Sequence, residues 1–129
     1  MPELPEVETV RRALEKEVLG RRINDVRVTR RDLRVPIPSN MESDLNGAEF
    51  LRFTRRGKYI IADMNNAQSL VIHLGMSGTI GFYSSQDYIP AKHDHVILSL
   101  SDDKIIVFND PRRFGQIITT PTQTTDTHP

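Results

Sequence analysis

The stretch from Ala48 to Leu74, AEFLRFTRRGKYIIADMNNAQSLVIHL, decides the fold. Ala48–Phe53, Tyr59–Met64 and Leu70–Leu74 are short runs rich in aromatic and β-branched residues, too short for helices. Gly57 and the pair Asn65-Asn66 separate them, and both are hairpin-turn signals. Outward from this core the rhythm continues at intervals of about ten residues, the spacing of an all-β layer structure. Thr79–Tyr83, His95–Leu100 and Lys104–Phe108 read as strands, the last two joined by a Ser101-Asp102-Asp103 turn. Toward the N-terminus, Ile23–Thr29 alternates as a strand, and Leu33–Pro38, with two prolines, is a loop or an edge. Pro5–Leu19 changes period: Val7, Val10, Leu14 and Val18 share one helical face, Glu6 and Glu8 sit in the first turn, and Gly20 follows the helix. The expected class is α+β, mostly β: an antiparallel β-sandwich or flattened barrel with one N-terminal amphipathic helix.

The 129 residues are 37% hydrophobic and 26% charged, with no cysteine and zero formal net charge. That composition excludes collagen-like chains and wholesale disorder. No run approaches the ~18 apolar residues of a membrane helix. Residues 1–9 carry three glutamates and no basic segment, so no secretory signal is expected, and the cytoplasm is the default compartment. Without cysteine there is no disulfide framework, thiolate metal site or cysteine nucleophile. One domain is expected over residues 1–118. Residues 119–129, rich in Thr, Pro, Gln, Asp and His, are expected to be a flexible tail or the start of a linker.

Charge is unevenly spread. Residues 1–58 are net positive and 59–129 net negative. Six arginines fall between Arg21 and Arg34, and Arg52, Arg55, Arg56 and Lys58 cluster without an acid. Guanidinium forks suit phosphate oxygens, although a solvated strand face explains the same pattern.

Several loops carry groups with chemical potential. Met1-Pro2-Glu3-Leu4-Pro5-Glu6 is good helix-start grammar. That grammar does not require a proline beside the initiator methionine. Loss of Met1 would leave Pro2 as a secondary amine, partly neutral because an α-amino group titrates near pH ~8. Such an amine condenses with an aldehyde carbon to a cationic iminium, an electron sink, with Glu3 beside it as proton donor or acceptor. Arg55-Arg56-Gly57-Lys58-Tyr59 presents Lys58 on a tight turn, or is an ordinary charged hairpin tip. In His73-Leu74-Gly75-Met76-Ser77-Gly78 an apolar Met sits between glycines, fit to wedge into a base stack or to fold back on the sandwich. In Asn109-Asp110-Pro111-Arg112-Arg113-Phe114-Gly115 a guanidinium and a ring share one tip, able to bond a base edge and to stack, or simply to form a turn. Lys92-His93-Asp94-His95 offers too few ligands for a metal site.

Taken in order, Pro2-Glu3-Leu4-Pro5-Glu6-Val7-Glu8, Leu33-Arg34-Val35-Pro36-Ile37-Pro38, Arg56-Gly57-Lys58, His73 to Gly78, Lys92 to His95 and Asp110 to Gly115 resemble one family. It is the N-terminal domain of bacterial formamidopyrimidine-DNA glycosylase, which excises 8-oxoguanine and ring-opened purines. Leu4 favours this branch over the related endonuclease VIII group, which carries Gly there. The resemblance implies that Pro2 attacks C1′ of the damaged nucleoside and that Glu3 moves protons during base release and ring opening. Lys58 would lie near the phosphates and assist elimination, and His73 and His93 would contact the DNA backbone. Met76, Arg112 and Phe114 would fill the gap left by the flipped nucleotide, with Arg112 facing the orphaned base, and Glu6 would support the N-terminal geometry.

The partner so implied is damaged double-stranded DNA, in a bacterial, nucleoid-associated setting, with no membrane or protein partner and a monomeric state. The family continues into a helix–two-turn–helix element and a four-cysteine zinc finger, so zinc is expected only there and no cofactor in this chain. Half the DNA clamp would then lie outside it. A competing expectation is an isolated domain with weak or no activity, a partial DNA-binding module. A small-molecule enzyme with an N-terminal proline would leave the Met76 and Arg112 loops unexplained.

Overall fold

The computed structural model describes residues 3–122. Two four-stranded antiparallel sheets face each other. Helix α1 spans Leu4–Val18, followed by β1 (Ile23–Val28), a short α2 (Met41–Leu45), β2 (Phe50–Arg56), β3 (Tyr59–Met64), β4 (Gln68–His73), β5 (Thr79–Ser84), β6 (Asp94–Leu100), β7 (Lys104–Asn109) and β8 (Gln116–Pro121). The first sheet runs β1-β6-β7-β5 and the second β2-β3-β4-β8. Of the two architectures expected from the strand rhythm, the sandwich is the one formed.

Alternation explains the core. Ile60, Ala62 and Met64 of β3 point inward while Tyr59, Ile61 and Asp63 point out. Leu70 and Ile72 of β4 and Ile117 of β8 meet Val96, Leu98, Ile106 and Phe108 from the opposing sheet. Each such side chain contributes roughly 1.5–3 kcal/mol by leaving water. Helix α1 buries Val7, Leu14 and Val18 against this core, with Val10 packed at its margin. β6 and β7 are covered on both faces: Ile97, Ile105 and Val107 form a second small cluster with Tyr88 from the 85–93 segment. That is why these two strands read as nearly continuous apolar runs.

Two features depart from expectation. Met41–Leu45 is a helix of barely more than one turn, too short to show periodicity, yet it buries both end residues. The expected tail from Thr119 begins too early. β8 continues to Pro121, with Thr119 opposite Leu70 and Thr120 opposite Ser69. Thr119 is buried, and its hydroxyl donates to Asp44 Oδ2 at 2.7 Å. A threonine can therefore line the sandwich because its polar atom has a partner. The rest of the expected tail, 123–129, lies outside the described residues.

Candidate nucleic-acid interface

The site residues sit at one end of the sandwich, where strands stop and glycine-bearing loops begin. Glu3 is the N-cap of α1, and its carbonyl accepts the Val7 N–H at 3.1 Å. Its side chain makes no capping bond and is exposed, which leaves the carboxyl group available. Pro2 lies outside the described residues. Glu6 is exposed in the first turn, where a negative charge suits the positive end of the helix dipole.

Glu8, which the sequence marks only as a first-turn acid, ties this helix start to the next element. Arg11 and Arg12 one turn on, and Arg55 of β2, all donate to its carboxylate at 2.8–3.0 Å. These three guanidinium groups hold Glu8 far below the usual carboxylate range. Arg55 also donates to the Gly57 carbonyl at 2.9 Å, so one side chain joins the helix to the β2–β3 hairpin tip. The spacing of Glu8 with Arg11 and Arg12 is the signal that could have marked it.

At that tip Arg56 pairs with Tyr59, leaving a two-residue turn of Gly57 and Lys58. Gly57 has φ +56° and Lys58 does not, the pattern of a type II′ hairpin with glycine at its first central position. Tyr59 is opposite His73 in the β3–β4 ladder, and their rings meet edge-on at 4.7 Å. Burial, with Lys58 nearby, pushes the His73 imidazole below its ordinary 6.5. Its Nδ1 accepts the Gly75 N–H at 3.0 Å. A neutral ring with Nδ1 so engaged carries its proton on Nε2 and can donate there to a phosphate oxygen.

The 74–78 and 110–115 loops lie against each other. Gly75, with φ +63°, comes so close that a Cβ would stand 2.6 Å from the Gly115 nitrogen. Their tips hold the apolar groups: Met76 is 49% exposed and Phe114 41%. The guanidinium carbons of Arg112 and Arg34 lie 5.6 and 5.8 Å from the Phe114 ring centroid, within cation–π range. Arg34, another residue not singled out individually, is pinned there because its N–H donates to the Arg113 carbonyl at 2.8 Å. Among the described residues Arg34, Arg56, Lys58 and Arg112 have no salt-bridge partner, while Arg113 is paired with Asp32.

His93 is half-buried beside this group, and its carbonyl accepts the Asp110 N–H at 3.1 Å. Two members of the His-Asp-His triplet, Asp94 and His95, are committed to structure. His95 Nε2 meets the Asp110 carbonyl at 2.7 Å, and the Asp94 carboxyl group accepts from Tyr88, Ala91 and Asn109. No metal-holding group of three or more His, Asp or Glu occurs among the described residues, and a four-cysteine finger has no ligands here. The structure thus brings Met76, Arg112 and Phe114 together, with His73 and Lys58 alongside and the helix start tied to the same hairpin. A trough lies elsewhere, on the outer face of the second sheet around Arg52, Ile61 and Val71. The loop end instead presents exposed tips, Met76 and Phe114 among them.

The model of the formamidopyrimidine-DNA glycosylase N-terminal domain matches residues 1–117. The chain belongs to this family. The formamidopyrimidine-DNA glycosylase of Cereibacter sphaeroides is 48% identical over the whole of this chain, and that of Dinoroseobacter shibae 47%. In both cases the match covers 48% of the relative, so the chain spans about half the length of the curated relatives it matches. Among solved structures, the Lactococcus lactis glycosylase non-covalently bound to DNA containing an abasic site superposes with a TM-score of 0.84 at 32% identity. That match covers 93% of this chain and 45% of the other. The same enzyme with DNA containing a formamidopyrimidine lesion gives 0.84 at 33% identity, over 93% and 44%.

Proposed function

We propose that this chain carries the catalytic half of a base-excision glycosylase with abasic-site lyase activity on oxidised purines. The observation that supports it most is the gathering of Met76, Arg112 and Phe114 at one tip beside cations that have no carboxylate partner among the described residues. The relatives' complexes with abasic and lesion-bearing DNA point to the same ligand.

In this reading the loops fill the gap left by an extruded nucleotide. Flipping costs a few kcal/mol, and stacking of Phe114 with the hydrogen bonds of Arg112 offsets part of it. Pro2, after loss of Met1, attacks C1′. Its N–C1′ bond forms as the glycosidic bond breaks, and the base leaves with the bonding pair and takes up the proton that the proline nitrogen sheds. Glu3 protonates the sugar ring oxygen, the ring opens, and the product is an iminium. That cation acidifies the C2′ proton; its removal forms a C2′–C3′ double bond as the 3′ phosphate departs. Lys58 and His73 hold phosphates during these steps, and His93 supports the backbone.

Borohydride reduction of an abasic-site duplex mixed with the chain tests this, together with intact-mass measurement of the N-terminus. A covalent adduct of reduced sugar on residue 2 is expected, strongly diminished in Pro2→Gly and absent where Met1 is retained. No adduct from chain shown to lack Met1 would reject activity of this chain. One observation favours a second reading, a DNA-binding module without activity: the chain spans half the length of its relatives. Lesion-duplex binding without an adduct is its signature.

A further inference from the structure

We propose that Ser77 and Asp110 are positioning residues that latch the Met76 and Arg112–Phe114 loops into one preformed gap-filling unit. The inference rests on the reading of those loops as the lesion-filling set. Asp110 is fully buried, with 0% of its surface exposed, at the junction of three loops. Its Oδ1 accepts the Ser77 hydroxyl at 2.7 Å and its Oδ2 accepts the Gly115 N–H at 2.7 Å. Its carbonyl accepts His95 Nε2 and the Arg113 N–H, and its own N–H reaches His93. Ser77 closes the circuit: the same hydroxyl that donates to Asp110 accepts the Arg112 N–H at 3.0 Å. The residue after Met76 thus holds the backbone of Arg112, across 35 positions of sequence.

No catalytic step needs either group, yet Ser77 sits one position from Met76 and Asp110 two positions from Arg112, side chains that would enter the duplex. Surface loops with exposed apolar tips are ordinarily the low-stability part of a fold. Here a buried carboxyl group with both oxygens used removes that freedom before DNA arrives. A preformed arrangement spares the ordering cost on binding. The latch therefore acts on discrimination between damaged and intact duplex, the property that depends on three tips being in register.

The test compares binding of the full chain to an abasic-analogue duplex and to its intact counterpart by fluorescence anisotropy, with 2-aminopurine opposite the lesion reporting gap filling. Ser77→Ala is expected to keep a native circular dichroism spectrum and to lose about tenfold in the ratio of damaged to intact affinity. It should also show a weakened 2-aminopurine change. Ser77→Thr, which restores a hydroxyl, is expected to recover most of both. A generally destabilised protein loses both affinities in proportion and leaves the ratio unmoved. Asp110→Asn should exceed Ser77→Ala if it folds; if it does not, the serine pair decides. A wild-type ratio and signal in Ser77→Ala would overturn the latch while leaving the gap-filling loops intact. Absence of any lesion preference in the wild-type chain would remove the loop reading and the latch with it.

Discussion

Two places in this molecule gather arginines, and they are finished differently. Around Glu8, Arg11, Arg12 and Arg55 converge on one carboxylate, and the charge is answered within the protein. Around Phe114, Arg34 and Arg112 converge on a ring, with no carboxylate partner among the described residues. The first node ties helix to hairpin; the second leaves guanidinium groups and an apolar ring exposed at the surface. Proximity of arginines alone does not tell a structural knot from a binding surface. The anion already in place does.

The contrast can be broken by mutation. The largest effect is expected where the Phe114 node is built on bare backbone. Gly75→Ala adds a Cβ 2.6 Å from the Gly115 nitrogen at φ +63°, and should destabilise the fold by about 3 kcal/mol or more in denaturant titration. Next, Arg112→Ala should leave stability within about 0.5 kcal/mol and weaken lesion-duplex binding by about 1–3 kcal/mol, measured by anisotropy. Glu8→Gln should do the reverse: a lower melting temperature with lesion binding nearly unchanged. If Glu8→Gln spared stability and removed binding, the distinction between the nodes would collapse.

The smallest effect is in pH. Glu8 is held below its ordinary 4.5 by hydrogen bonds from Arg11, Arg12 and Arg55. The unfolded chain therefore takes up that proton first, and the stability Glu8 contributes is complete above pH 4.5 and lost as pH falls below it. His73 is also lowered, so the unfolded chain again binds its proton first, and a weaker loss begins as pH falls through 6.5. Thermal melts from about pH 7 to pH 3 should show both phases, with the acidic one flattened in Glu8→Gln.

Most of the architecture was readable because its signals are local. The Gly57 turn, the ten-residue strand rhythm and the Val7–Val18 stripe each lie within one element. The end of β8 was not, since Thr119 is buried only by virtue of Leu70 across the ladder and Asp44 seventy-five positions away. α2, five residues long, is too short to show a helical period in the sequence. The site followed the same rule. Met76, Arg112 and Phe114 stand out on glycine-flanked loops, whereas Asp110 and Ser77 matter through each other, and nothing in either neighbourhood announces the partner.

The most direct test of the central claim, that the loop end meets damaged DNA, is a two-dimensional NMR titration of the chain with an abasic-analogue duplex. Amide shifts are expected to concentrate at Gly57, Gly75, Gly78 and Gly115 and at Arg34 and Arg112, with the Arg21 and Asp102 end unmoved. Shifts centred on the Arg21–Asp102 end, or none at the glycine loops under conditions where the duplex binds, would contradict it.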